Sequence, residues 1–588
     1  MRMHSHPANY VGSVHWAAVL DSISELRDHY EEEEEARILA TSDCVPRNSP
    51  RLLYEPVQAT KADILALIPA RPVVDRIVAR YFNAQSTTPL SMLHSVHFLR
   101  EYERFWQEPS SASVLWIGLL FSIMALTLQF SQLGEDETDP EDVVRIYVFR
   151  EQTIHCLGLG HYTKGGEYVL ETMINYIALE MSLCKDADIG LWLVLGMLIQ
   201  LALSMGYHRD AQNFSNISPF AGEMRRRVWA VIVQMDLRLS SQMGFPRLLK
   251  LHQCDTAEPR NLLDTDFDET CTELPPSRPE TEVTPVLYIL AKNRVDGMTG
   301  WVSDLLAEVR EHPYAEIMEL DRKLEDAENS LPPVFRWQPL SQSLMVPPQI
   351  IIYRIWLHLS IPRLKIWLHR KYLAPSYAQS EYAYSRNACV QAAMKILEFQ
   401  QLVDEETQPD GLLYSARWMM ITSLQQFVFL LGTSILCYYV QLAKTRPDVS
   451  MDQKTSARIY ELLRNTYPIW LRSSTVSQEA RRAAVHLSLL LGLRGQETEG
   501  PLAEEAAAVA TAATSDYTTP QNAGMSFDQV TWDAYQECIA NFPPTAAFGA
   551  DFFAPPVPGS SSEAGVSMAD PMVGNTVELG GWMEGHGA

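Results

Sequence analysis

The chain has 588 residues, 47% of them apolar and 20% charged, which is the balance of a folded protein with several structural units and excludes a wholly disordered one. Lys and Arg number 47 against 72 Asp and Glu, a net charge of −25, which excludes a surface that grips nucleic-acid phosphates all round but leaves room for a local basic patch. The eight cysteines include no Cys-x-x-Cys pair, which excludes a sequence-local zinc site and fits a reducing, intracellular compartment, and the first residues lack the apolar run of a secretory leader.

In chain order, residues 1–60 read as an arm with one short amphipathic helix over about 13–38, whose apolar face is Val14, Trp16, Val19, Leu20, Ile23 and Leu26. Pro46, Pro50 and Pro56 then mark an irregular connector. From Lys61 the apolar pattern takes a helical period and keeps it to about Arg494, with no run of alternating residues flanked by hairpin turns. The spacing predicts an all-α fold: one large multi-helix body in two parts, 61–330 and 331–495. Three stretches, 114–130, 189–206 and 421–439, are apolar nearly all round. Their lengths approach a bilayer span, but each carries polar residues in its middle, so they read as central helices covered on every side rather than as membrane segments.

Proline and aspartate dominate 254–285, a long connector, and Pro332, Pro333, Pro347 and Pro348 mark a second. Beyond Arg494 there is no Lys or Arg, while thirteen carboxylates fall between Glu497 and Glu584, so this stretch holds about half the net charge. Residues 496–588 therefore read as a disordered acidic tail. Its aromatics, among them Trp532, Phe542, Phe552 and Phe553, are interspersed with carboxylates, a composition that keeps apolar groups solvated and available to order on a partner's groove.

Little here points to catalysis. Asp264, Asp266, Asp268 and Glu269 have the look of a cation site, and an all-α metal-dependent enzyme is one alternative reading. However, Glu269 occupies the place where a calcium loop needs Gly, and the proline-rich setting favours a solvated acidic loop. His94 and His97, and His155 with Cys156 and His161, lack a third ligand or an orienting carboxylate. No catalytic, cofactor-binding or metal residue is assigned.

The most informative segment is 223–261. On a helix, Arg226, Trp229, Asp236 and Ser240 form one stripe, ended by Gly244 and Pro246. Charges mixed with Trp on one face require partners if they are buried. The consecutive Arg225, Arg226 and Arg227 fan round the helix and read as a mixed solvated and paired set rather than a DNA patch.

These residues, followed by Asp255, Pro259 and Asn261, resemble the middle homology region of the fungal zinc-cluster transcription factors. Met205 to Asp210 is similar to that family's preceding helix end, and Val73 to Arg76 with Tyr81-Phe82 to its opening helix. His97 to Trp106 follows its next element, and Leu368-His369-Arg370 with Ser385, Cys389, Ala392 and Ala393 its later helix pair. Phe245 departs from the family's usual Arg, and Lys371 from its usual Pro. The six-cysteine zinc cluster cannot be drawn from the cysteines present, so zinc is expected only in an N-terminal module that this sequence lacks. The resemblance implies a nuclear regulator of RNA polymerase II genes, without membrane insertion. Its expected partners are DNA, met indirectly or through that missing module, and the transcription machinery. A small-molecule effector, a homodimer and a non-DNA-binding co-regulator remain open readings.

Overall fold

The structure is a computed structural model that describes residues 59–493, apart from 86–90, 135–138, 185, 378, 421–422 and 446–451, together with 15, 16, 19 and 52. Among these residues every regular element is helical, as the periodicity predicts. The helices before the long connector are α1 (Lys61–Ala66), α2 (Arg71–Gln85), α3 (Ser95–Gln107), α4 (Val114–Gly134), α5 (Pro140–Leu159), α6 (Val169–Leu183), α7 (Ile189–Ser204) and α8 (Pro219–Met243). After it come α9 (Leu287–Ala307), α10 (Tyr314–Asn329), α11 (Pro348–His369), α12 (Ala383–Glu406), α13 (Ser423–Thr445), α14 (Gln453–Ser473) and α15 (Gln478–Leu491). The tail with Trp532, Phe542, Phe552 and Phe553 lies outside the described residues. Of the helix expected over 13–38 only three residues are described, and two of them, Trp16 and Val19, are buried.

Local chemistry sets the helix boundaries. Thr60 and Asp63 form a reciprocal capping box at the start of α1. Asp139 caps α5 ahead of Pro140, and Ser218 caps α8 ahead of Pro219, each proline spending its missing N–H where a helix has none to use. Helices α7 and α8 stop in the same way. Gly206 and Gly244 take φ of 72° and 70°, in the left-handed region. The next amide reaches back to the fifth carbonyl before it, Tyr207 N to Ala202 O at 3.0 Å and Phe245 N to Ser240 O at 2.9 Å, so the last-turn carbonyls are satisfied.

Buried apolar side chains form two large cores. One is built from α1–α8 and surrounds α4, where an unbroken run from Trp116 to Gln129 is buried. Gly118 permits the close approach of α4 to α5, since a Cβ there would sit 2.8 Å from the Cys156 Cβ. The other core is built from α9–α15 and also takes in Trp16 and Val19. The cores meet at the start of α9: Leu287 and Tyr288 belong to the second, and the next residue, Ile289, to the first. Helices α4 and α13 include segments long and apolar enough to cross a membrane, but 78% and 72% of the residues in those segments are buried among other helices.

In the second core, the distant residues His369 and Ser385 meet. His369 Nδ1 lies 2.9 Å from Ser385 Oγ, and its Nε2 lies 3.3 Å from Asp321 Oδ1. The order Asp–His–Ser suggests a hydrolase, but all three side chains are buried and Tyr314 OH also bonds Ser385 Oγ at 2.8 Å. The trio ties α10, α11 and α12 together and offers a substrate no approach.

Candidate functional site

Helix α8 positions the predicted stripe, and the structure answers the question of where its charges go. Arg226 and Asp236 are not partners of each other; ten residues apart, they are about 15 Å distant along the axis. Arg226 instead makes a two-pronged bond to Asp210, Nε to Oδ2 and Nη2 to Oδ1, both at 2.9 Å. Asp210 also accepts from the backbone N–H of Gln212 at 3.0 Å and of Ala257 at 2.9 Å. These bonds, the Arg226 guanidinium first among them, hold the Asp210 carboxyl down at about 2. One carboxylate thereby joins α8, the loop after α7 and the start of the long connector. Asp255 reinforces the join by accepting from Asp210 N–H at 2.9 Å and pairing with Arg209.

Asp236 closes the other end of the stripe. Its oxygens accept from the backbone N–H of Leu248 at 3.0 Å and of Leu249 at 2.8 Å, and from Ser240 Oγ at 3.1 Å. The carboxylate thus fastens the chain that turns at Gly244 and Pro246 back onto its own helix. Burial pushes the Asp236 carboxyl up, and these bonds oppose the rise. Ser240 Oγ receives the Trp192 indole N–H at 3.3 Å, which brings α7 into the same knot. Phe245 lies against Trp192 with ring centres 5.0 Å apart, so this position has an apolar packing role. Trp229 is buried in the first core.

The neighbouring arginines face inward as well. Arg225 bonds Met205 O at 2.7 Å and lies over the Tyr207 ring. Arg227 is fully buried and reaches Asp264 Oδ1 at 2.7 Å. The other Asp264 oxygen accepts from both Ser95 N and Ser95 Oγ at the start of α3. Burial alone would raise the Asp264 carboxyl; Arg227 and these bonds outweigh it and leave the group below its usual range. Glu223, fully buried, stands between the two arginines and accepts from Arg260 N–H at 2.9 Å.

The expectation of a solvated acidic loop is corrected here. Asp266 holds Arg278 in a two-pronged bond, with both contacts at 2.7 Å. Glu269 binds His97 and Arg100, and Asp268 bonds Thr270 in its own loop. Each carboxylate is committed to its own partner, and among the described residues no group of three or more ligating side chains is gathered for a metal. The cations lie 12 to 172 residues away in sequence, so local inspection finds the acids without their partners.

Two further residues complete the clasp. Asn261 Nδ2 donates towards the carbonyls of Arg278, Pro279 and Glu282 at 3.1–3.2 Å, and its Oδ1 accepts from Thr284 Oγ1 at 2.6 Å. His94 caps α3 by accepting from His97 N–H at Nδ1, and its Nε2 lies 3.1 Å from Phe267 O. A carbonyl only accepts, so Nε2 carries the proton and His94 is a neutral imidazole, with its pKa lowered chiefly by burial. The long connector, which has almost no regular structure, is thus ordered by side chains from α3 and α8.

The arrangement is one of mutual restraint, with every charge of the stripe spent on holding segments together. Residues 168–295, which include this clasp, match the model of the fungal specific transcription factor domain. The chain is 48% identical over 511 residues to the transcription factor cghF of Chaetomium globosum, covering 86% of this chain and 92% of that protein. It is 45% identical over 501 residues to the equisetin cluster transcription factor eqxF of Fusarium heterosporum, covering 82% and 71%. It is 42% identical over 502 residues to the Zn(2)-C6 fungal-type transcription factor pigI of Monascus ruber, covering 82% of this chain and 61% of that protein. The chain therefore belongs to the fungal transcription factors that carry the fungal-specific transcription factor domain, and it is a transcription regulator.

Proposed function

We propose that the protein is a nuclear regulator of RNA polymerase II transcription that controls a set of clustered genes, with the helical body as its regulated part and the acidic, aromatic tail as its activating segment. The observation that carries this reading is the similarity over most of the chain to transcription factors, one of them named for the equisetin cluster. The tail composition supports the output role: Trp532, Phe542, Phe552 and Phe553 stand among carboxylates in a stretch without a single Lys or Arg. These 588 residues hold no Cys-x-x-Cys pair, which favours contact with DNA through a zinc-cluster module outside them, on the same protein or on a partner. The clasp on α8 then serves as the rigid mount that keeps the body in one arrangement until a signal shifts it.

Residues 527–584 fused to an unrelated DNA-binding domain should raise a reporter at least several-fold. Alanine at Trp532, Phe552 and Phe553 together should abolish that rise. A silent fusion removes the activation role. Deleting the gene should lower transcripts of its chromosomal neighbours, and unchanged transcripts there remove the cluster assignment.

A further inference from the structure

On another face of α8 from the clasp, a cavity of about 80 Å³ lies where α8 and α9 meet α11 and α13. One water-sized site needs roughly 10–15 Å³ by this measure, so the space holds about six waters or one small organic molecule. Its lining includes three cationic side chains, Arg238, Lys292 and Arg363, and a single carboxylate, Asp296. Asp296 is already taken by Lys292, whose Nζ lies 2.7 Å away. Arg363 is only 6% exposed; among the described residues no carboxylate lies within ion-pair distance of it, Asp296 acts on it only from farther off, and the Trp367 ring centre lies 5.1 Å from its guanidinium. Its one hydrogen bond, Nη2 to Thr299 Oγ1, is long at 3.5 Å, and its buried Nε has no acceptor. The buried indole N–H of Trp356, on the same wall, has none either.

A buried guanidinium without a directly paired carboxylate is costly, and buried donors are as a rule satisfied. Burial depresses the pKa of both Lys292 and Arg363, and the neighbouring Arg238 and Arg363 lower Lys292 further despite its bond to Asp296. An anion in the cavity would supply the missing negative charge and acceptors for the Arg363 and Trp356 N–H groups. Tyr288, Trp356, Leu357 and Val428 give the rest of the wall an apolar character, suited to an organic body.

We infer that this cavity is a binding site for a small organic oxyanion, a carboxylate or a phosphate ester, gripped by Arg363 with Arg238 and Lys292. The site joins α8 and α9 to α11, so an occupant draws the two cores together, and its role as an effector rests on the regulatory reading above. The helix spacing is visible in the sequence: Tyr288, Lys292 and Asp296 recur every four residues, as do Trp356 and Ser360, with Arg363 three further on.

The test uses the full chain with inorganic phosphate and succinate as probes, at an ionic strength held constant with sodium chloride. Melting temperature and titration calorimetry are the readouts. At least one probe should bind saturably and raise the melting temperature beyond the chloride control; preference for phosphate points to a phosphate ester, preference for succinate to a carboxylate. Arg363→Met should weaken that probe at least ten-fold while leaving the ligand-free melting temperature unchanged or higher, because an uncompensated cation has been removed. Lys292→Met provides the same comparison if the first variant does not fold. Absence of saturable binding by both probes overturns the inference. So does a variant that binds as well as the parent, or one that folds but melts several degrees lower without ligand. Binding is measured without transcription, so a silent reporter and an empty cavity are separate failures.

Discussion

Replacing Arg226 with Met removes the central bond of the clasp while keeping a side chain of similar length. Asp210 then loses two of its four hydrogen bonds, both to the guanidinium at 2.9 Å, and its charge stays 9% exposed with only the Gln212 and Ala257 amides as donors. Breaking a buried pair from one side costs about 3–5 kcal/mol, and the surviving amide bonds bring the expectation to the lower end. A second route gives a similar figure. The Asp210 carboxyl is lowered from 3.8 to about 2, and at 1.36 kcal/mol per unit that is about 2.5 kcal/mol before solvent screening reduces it. A loss of about 2–3 kcal/mol should speed local opening about 30- to 150-fold. Hydrogen exchange at pH 7, read by mass spectrometry, should show this in peptides covering 205–213 and 254–262, with no change in α12. The pH sign follows from a depressed carboxyl: its stabilisation is present above 3.8 and is lost as pH falls towards 2, so the variant's deficit should be constant between pH 5 and 8. Adding Asp210→Asn should recover part of the loss, because the stranded charge is gone. Unchanged exchange in both peptides, or a uniform rise that includes α12, would refute the assignment of this pair as a local clasp.

Asn261→Asp places an anionic oxygen against the three carbonyls that Nδ2 now faces, and should destabilise the 262–284 segment by more than about 3 kcal/mol, seen as rapid proteolytic cutting there. Gly244→Ala forces a Cβ into φ of 70° and should cost about 1 kcal/mol, a melting shift of about 2 °C by differential scanning fluorimetry. A larger shift would show that the turn carries more than its backbone strain. His94 is buried neutral among Asp264, Arg227, His97, Phe220 and Phe267, with its folded pKa below the unfolded 6.5. Its contribution is therefore complete above pH 6.5 and declines as pH falls below it, by at most about 1.4 kcal/mol per unit. Urea midpoints at pH 7.5 and 5.5 should fall further apart for the parent than for His94→Asn; parallel profiles would dismiss the effect.

The fold class was legible because helical period survives for four hundred residues, and the stop at Gly244 was legible because left-handed turns select glycine, while the helix end at Gly206 came from the family resemblance. The stripe on α8 was legible as a problem: Arg226 and Asp236 on a face with Trp229 demand partners. Its solution was not. Asp210 comes sixteen residues earlier, across a helix end, and the partners of Asp236 beyond Ser240 are backbone N–H groups, which every residue but proline possesses and no sequence advertises. The acids at 264–269 misled for a related reason. Proline-rich surroundings indicate a loop but not whether it is solvated, and that depended on Arg227, Arg278, His97 and Arg100 from three separate places. The burial of Arg363 was not legible, since its helical spacing shows which face it shares but an arginine in a helix is normally a surface residue.

The start of α9 sets how the molecule comes apart. Consecutive residues on a helix point about 100° from one another, so Leu287, Tyr288 and Ile289 fan out towards different neighbours. All three are buried, the first two in one core and the third in the other. Rolling the helix to improve one side's contacts withdraws a side chain from the other. A chain of this length with two cores would ordinarily melt in two stages. Here one helix is meshed with both, and unfolding either half strips the other of part of its wall, so the body should lose its structure in a single cooperative step.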